Sequence, residues 1–174
     1  MNQNYAKFLP NIVLLLGSGG VGKTTIAEKL SKEYGYHWLD GDNADTEIFP
    51  NGGQWKKENQ KKLKKAHELV LKKTNEVFKT GKRVVVDYIG FNYLKHYLDL
   101  FADNFGKDLR IVILTADMET IVKRDKDREY WTTGKANVEL VLERLDELKN
   151  CYGESFIDTS KMSTDDVISS ILNL

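Results

Sequence analysis

The chain has 174 residues, which is enough for one well-buried core and short for two. Its 26 basic and 26 acidic residues cancel, so charge does not mark nucleic acid or an anionic membrane as the main partner. A single cysteine, Cys151, excludes an intrachain disulfide framework, and no Cys/His cluster offers a zinc site. No stretch approaches the ~20 apolar residues of a membrane span, so we expect one cytoplasmic domain with no membrane partner, as a monomer or homodimer.

The first element is an apolar run at 12–16, which predicts a buried strand. Directly after it, Gly17 to Thr24 match the phosphate-binding pattern G-x-x-x-x-G-K-[ST] at every fixed position. Glycines let backbone N–H groups turn toward phosphates, Lys23 supplies a positive charge, and the Thr24 hydroxyl can bind Mg²⁺. The apolar spacing after Thr24 predicts a helix whose amino end points at the same place. We therefore expect ATP and Mg²⁺ as ligands. The predicted nucleotide-binding residues are Gly17, Ser18, Gly19, Gly20, Val21, Gly22, Lys23, Thr24 and Thr25.

Further along the chain, β-rich segments alternate with helical ones, which is typical of a parallel sheet with helices on both faces. The predicted strands are 12–16, 36–39, 83–87, 110–114 and 155–157. The predicted helices are 23–34, 57–80, 92–105, 118–127, 137–149 and 164–172. This pattern predicts an α/β fold of three layers, α/β/α, around a five-stranded parallel sheet. Together with the phosphate-binding motif after the first strand, it predicts the P-loop NTPase fold.

Carboxylates follow the second and third predicted strands. Asp40 and Asp42 end the second, and Asp87 ends the third. In an open parallel sheet, ligands bind at the carboxyl ends of the strands, where an aspartate can hold Mg²⁺ or accept the proton of an attacking hydroxyl. Asp40 and Asp42 share a side if the strand continues, whereas a simple Asp-Gly-Asp-Asn turn is the alternative. We expect Asp42 and Asp40 as catalytic residues and Thr24, Asp40 and Asp87 as metal ligands, with the division between base and ligand left open.

The segment from about 42 to 80 is expected to cap the acceptor substrate. Its lysines suggest a nucleic-acid patch, but apolar residues such as Leu63 and Val70 give the same segment a core-facing side, so a solvated helix face is favoured. Nucleic acid is accordingly not expected as the main partner. Several residues could line an acceptor pocket or belong to the core: Phe49, Trp55, Lys56, Tyr88, Phe91, Asn92 and Tyr93.

Arg124 and Arg128 lie four residues apart, so they are neighbours on one helix face. Arginines at this place can clamp the phosphoryl group that is transferred, and both are predicted as catalytic. Gly134 then interrupts the periodicity, which favours a lid over about 124–137 that closes over the ligands. The alternative is an ordinary charged helix in which Asp125, Asp127 and Glu129 pair with the arginines.

Taken together, four segments resemble those of small P-loop kinases, especially the gluconate and shikimate kinase group and adenylylsulfate kinases. These are the phosphate loop, Leu39-Asp40-Gly41-Asp42-Asn43, the Val-Val-Val-Asp strand, and the run from Arg124 to Arg128. The resemblance covers nearly the whole chain and implies one kinase domain over 1–174 with a lid. It also implies that Asp40 and Asp42 contact the acceptor or Mg²⁺. The residues after Asp87 depart from the shikimate kinase and adenylate kinase patterns, so the resemblance does not choose the acceptor.

These observations predict an ATP-dependent phosphotransferase that acts on a hydroxyl or phosphate of a small-molecule acceptor. One alternative is a kinase of nucleosides, nucleotides or nucleic-acid 5′ ends. Another is a regulatory NTPase or nucleotide-binding switch, in which water is the acceptor, although the chain has no Asn-Lys-x-Asp guanine signature.

Overall fold

The strands form a single parallel sheet. The computed structural model describes residues 9–54, 56–89, 92–127 and 134–173. Within these ranges the strands are β1 Ile12–Leu16, β2 His37–Asp40, β3 Val84–Tyr88, β4 Leu109–Thr115 and β5 Phe156–Asp158. They are ordered β2-β3-β1-β4-β5, with every neighbouring pair parallel. The predicted sheet is confirmed, and each strand end lies within one residue of its prediction.

Helices connect the strands. They are α1 Lys23–Tyr34, α2 Gly41–Ala44, α3 Gln60–Phe78, α4 Leu94–Phe105, α5 Met118–Lys126, α6 Lys135–Asp146, α7 Lys149–Tyr152 and α8 Thr164–Asn173. Sequence patterns do not predict α2 or α7, because four residues are too few to show a helical apolar spacing. The predicted helix at 57–80 is shorter than expected, since Lys57–Asn59 form a 3₁₀ turn before α3. No helix among the described residues is long and apolar enough to cross a membrane.

The core has one layer on each face of the sheet. Alternate residues of β1 divide between the layers: Leu14 packs in the layer that holds α4, and Leu15 packs in the layer that holds α1 and α8. Both residues are fully buried, as expected for a central strand covered on two sides. The predicted three-layer α/β/α architecture is confirmed.

This arrangement fixes where a ligand can bind. The helix after β1 and the helix after β3 lie on opposite faces of the sheet, although β1 and β3 are neighbours. Their connections therefore diverge and leave a crevice at the carboxyl ends of the two strands, which is where open parallel sheets bind ligands. The loop after β1 and Asp87 of β3 both lie at this crevice.

Candidate active site

The phosphate-binding pattern forms the turn between β1 and α1. Gly22 has φ +99° and precedes the first residue of α1, and Gly20 has φ +83°. A Cβ atom on Gly20 would lie 2.5 Å from the backbone oxygen of Ile121, so only glycine fits there without displacing α5. The first N–H groups of α1 consequently face the crevice, where they can bind phosphate oxygens.

Lys23 is more enclosed than its place in the loop suggests. The Lys23 residue is only 5% exposed. Its Nζ atom donates a hydrogen bond of 3.0 Å to the backbone oxygen of Ser18, which holds the ammonium group against the loop. Lys23 still lines the main cavity, so its charge lies where the phosphates of a nucleotide would be.

Thr24 and Asp87 are in direct contact. The Thr24 hydroxyl donates to Asp87 Oδ2 over 3.1 Å, and Trp38 Nε1 donates to Asp87 Oδ1 over 2.8 Å. Because the Thr24 hydroxyl donates its hydrogen to Asp87, the lone pairs of its oxygen remain available to bind a cation. Hydroxyl and carboxylate oxygens suit Mg²⁺, which keeps several waters and phosphate oxygens among its ligands. The pair therefore fits a magnesium site. Trp38 was not predicted from the sequence as a site residue, although it lies two residues before Asp40 and therefore on the same face of β2.

Asp40 and Asp42 reach the crevice by a different route from the one expected. The strand does not continue: β2 ends at Asp40, whose side chain accepts from the backbone N–H of Asn43 over 3.0 Å and caps α2. Asp42 lies inside that helix and accepts from the backbone N–H of Ile89 over 3.3 Å. Capping is therefore part of the role of Asp40, and residues 41–44 form a short helix instead of a simple turn. Both carboxylates line the same cavity as Lys23.

Gly41 lets α2 lie directly on the end of β3. A Cβ atom at this position would lie 2.8 Å from the Asp87 backbone oxygen and 2.9 Å from Tyr88 Cδ2. Asp45, the residue after α2, is fully buried and accepts from Tyr88 Oη and from Gln54 Nε2, each over 3.1 Å. These contacts fix the position of Asp42 from both ends of its helix.

The carboxyl groups of Asp40 and Asp42 both have raised pKa values. Burial raises the pKa of Asp42 to about 7; Lys23 opposes the shift, and the charges of Asp40 and Asp87 add to it. Burial also raises the pKa of Asp40, while the backbone N–H of Asn43 lowers it. A carboxyl group that titrates near neutral pH, as Asp42 does, is typical of a site for general acid–base chemistry or cations.

The predicted acceptor-pocket residues divide between core and surface. Phe49 and Tyr88 are buried, Phe49 against Leu63 and Tyr88 in the core with α4, so neither ring is free to hold a ligand. Tyr93 is 43% exposed. Lys56 is exposed and Asn92 is partly buried. Trp55 and Phe91 lie outside the described residues.

Arg124 lies on the opposite side of the cavity, near the end of α5. Its two terminal nitrogens donate to Oγ1 and to the backbone oxygen of Thr159, each over 3.1 Å. Thr159 directly follows β5. Arg128 lies outside the described residues, as do the following residues of the expected lid, 129–133. The described parts of 124–137 are the end of α5 and the start of α6, which are joined where the Gly134 N–H donates to Asp125 Oδ2 over 3.1 Å.

One cavity of about 930 Å³ brings these groups together. Its lining includes the phosphate loop from Gly20 to Thr25, the three carboxylates of Asp40, Asp42 and Asp87, and Arg124 with Thr159. The volume is near the upper end of the range for ligand pockets, so there is room for a nucleotide and a second small molecule. The fold and this cavity are those of a small P-loop kinase.

Comparison with known proteins supports the same class of protein. Residues 12–154 match the AAA domain family, and the chain belongs to that family. It is 30% identical over 173 residues to a Thermococcus kodakarensis protein named "Putative adenylate kinase", covering 94% of this chain and 84% of the relative.

Solved structures share the fold. Shikimate kinase from Acinetobacter baumannii superposes with a TM-score of 0.65 at 22% identity, covering 95% of this chain and 92% of the other. A gluconokinase from Sinorhizobium meliloti superposes with a TM-score of 0.62 at 18% identity, covering 95% and 91%. The resemblance to small P-loop kinases drawn from the sequence is thus confirmed.

Proposed function

We propose that this chain transfers the γ-phosphoryl group of ATP to a hydroxyl or phosphate of a small-molecule acceptor. The observation that carries the proposal is the position of the Asp42 carboxylate, which shares one cavity with Lys23 and the phosphate loop. A phosphate-binding loop alone serves many nucleotide hydrolases. A carboxylate held across the cavity from it, on a separately anchored helix, is what a second substrate requires.

On the nucleotide side, the loop N–H groups and Lys23 bind the β- and γ-phosphates. Arg124, held by Thr159, contributes positive charge from the other wall. Thr24 and Asp87 would hold Mg²⁺, with Trp38 keeping the carboxylate in place. When bound, the cation neutralises charge that develops on the phosphate oxygens. Asp40 is the register partner of Asp87 on the neighbouring strand and lines the same cavity, so it would share in this site through water.

On the acceptor side, Asp42 orients the attacking group and takes its proton when that group is a hydroxyl. Its carboxylate is fixed by Ile89 N–H and by the packing of α2 on β3, so little reorganisation is needed during the reaction. A pKa near 7 suits a base that must release its proton again after each turnover.

A nucleoside monophosphate is a specific candidate acceptor. It is favoured by the Thermococcus kodakarensis relative, whose name describes an adenylate kinase and which is similar along 94% of this chain. In that reaction the acceptor oxygen is already ionised, so Asp42 would orient groups rather than remove a proton. A regulatory NTPase is the contrasting possibility, with water in place of the acceptor.

An acceptor screen tests the proposal. ADP formation is measured with Mg²⁺ and ATP, first alone and then with sugar acids, shikimate, adenylylsulfate, nucleosides, nucleotides and short oligonucleotides. We expect slow ADP release alone and a large increase with one class of acceptor. Lys23→Ala and Asp42→Asn are run in parallel and should both lose the increase. ATP hydrolysis that is rapid alone and unchanged by every acceptor would overturn the proposal in favour of a regulatory NTPase.

A further inference from the structure

The amino-terminal part of α3 and the turn before it carry an unusual concentration of positive charge. Residues 56–65 contain six lysines and one glutamate in a chain whose formal net charge is zero. All six lysines are exposed. Three of them, Lys61, Lys64 and Lys65, lie on the side of α3 opposite the buried Leu63 and Ala66, since they are spaced three and four residues apart.

Few acidic residues lie near these lysines along the chain. Some surface lysines elsewhere pair with a carboxylate one helical turn away, as Lys32 does with Glu28 and Lys95 does with Asp99, whereas others, such as Lys79, take part in none of the described ion pairs. Within the described part of the chain, no ion pair reaches a lysine between 56 and 65. The first turn of α3 also contains no acidic residue, so the helix dipole adds to the positive potential instead of being offset. Such a patch costs stability and attracts anions.

An exposed aromatic ring lies beside this patch. Tyr93 is 43% exposed, and Lys64 Nζ lies 5.0 Å from the centre of its ring. Tyr93 has φ +55°, a strained value for a bulky residue, at the amino end of α4. It follows Ile89, which lines the main cavity, by four residues, so their Cα atoms are at most about 14 Å apart. Tyr93 is therefore anchored within about 14 Å of the cavity lining, measured between Cα atoms.

We propose that Lys61, Lys64, Lys65 and Tyr93 form a binding surface for single-stranded nucleic acid. Lysines next to an exposed ring combine phosphate attraction with base stacking, which is how sequence-tolerant single-strand surfaces work. A membrane is a poorer fit, because the apolar side of α3 is buried in the core and leaves nothing to insert into lipid. The inference concerns binding without ATP, so it stands or falls separately from phosphoryl transfer.

The test is fluorescence anisotropy with a labelled 12-nucleotide single strand at several salt concentrations. The variant K61Q/K64Q/K65Q is compared with K72Q/K79Q/K82Q, which removes the same charge from exposed lysines at and beyond the other end of α3. We expect the first variant to bind at least about tenfold more weakly at low salt, with a salt dependence shallower by about two in log–log slope. The second should stay within about twofold of the wild type.

Tyr93→Asn tests the stacking contribution, because asparagine tolerates a positive φ and the backbone should be kept. We expect it to weaken binding about fivefold or more, and to have no such effect on an abasic strand of equal length. Cooperative thermal unfolding at or above the wild-type temperature would show that the variants are folded. The inference is overturned if the wild type does not bind, if the two triple variants weaken binding equally, or if polyglutamate or anionic vesicles bind as tightly as the oligonucleotide.

Discussion

Replacement of Asp42 by asparagine should separate the chemistry of the site from its stability. The amide keeps an oxygen to accept from Ile89 N–H, so the position of α2 should be preserved. The charge is lost, and with it the ability to accept a proton or to balance a cation. We expect turnover to fall about 10²–10⁴-fold, while the KM for ATP stays within about threefold.

The same change should increase stability in the protein without ligands. Burial raises the pKa of Asp42 from the ordinary 3.8 to about 7, so the folded state favours the protonated carboxyl. The stability that this preference provides is present below pH 4 and is lost as pH rises through about 7. At pH 8 the ionised wild type should therefore have a free energy of unfolding roughly 1–4 kcal/mol below that of Asp42→Asn. Near pH 4 the two proteins should unfold alike.

Two assays check this pair of effects. Steady-state kinetics from pH 5.5 to 9 should give a wild-type rate that rises with an apparent pKa of about 7, and a much smaller, flatter rate for the variant. Urea unfolding at pH 4 and pH 8 measures the stability difference. Asp40→Asn is the comparison, since it alters a neighbouring carboxylate whose side chain caps α2. If Asp42→Asn turns over within threefold of the wild type, or if only Asp40→Asn is inactive, the assignment of Asp42 is refuted.

Three further substitutions test other parts of the site. Lys23→Ala should lower turnover about 10²–10³-fold or more in the ADP-release assay, because it removes the loop cation; a near-normal rate would contradict its role. Thr24→Val should raise the Mg²⁺ concentration for half-maximal activity about tenfold or more, because it removes the hydroxyl that donates to Asp87 at the proposed metal site. An unchanged Mg²⁺ titration would contradict the metal site. Gly41→Ala should lower stability by about 1–3 kcal/mol in thermal unfolding and also reduce turnover, because the new Cβ meets Asp87 and Tyr88; wild-type behaviour would show that α2 can shift.

The parts of the site that the sequence predicts are those encoded locally. The phosphate loop is one continuous segment whose glycines, lysine and threonine all lie within eight residues. The sheet can also be predicted from the sequence, because apolar runs and helical spacing each depend on residues that are close together in the chain. Asp87 could be placed at the crevice because it directly ends an apolar strand.

Other features depend on contacts between distant segments. The burial of Lys23 results from the surroundings of the loop and leaves no trace in its neighbours along the chain. Asp42 is positioned by Ile89, 47 residues later, and this contact exists only because Gly41 allows α2 to touch β3. Arg124 is held by Thr159, 35 residues later, across the mouth of the cavity. The spacing of these residues along the chain does not predict these contacts.

A single-turnover experiment with [γ-³²P]ATP tests the central claim most directly. Enzyme in excess over labelled ATP is mixed with Mg²⁺ and the acceptor class that most increases ADP release, and the label is followed into acceptor and into inorganic phosphate. The proposed site predicts that most of the label reaches the acceptor, and that Asp42→Asn slows this transfer without weakening ATP binding to the same degree. Label that appears only as inorganic phosphate, at the same rate with and without every acceptor, would contradict it.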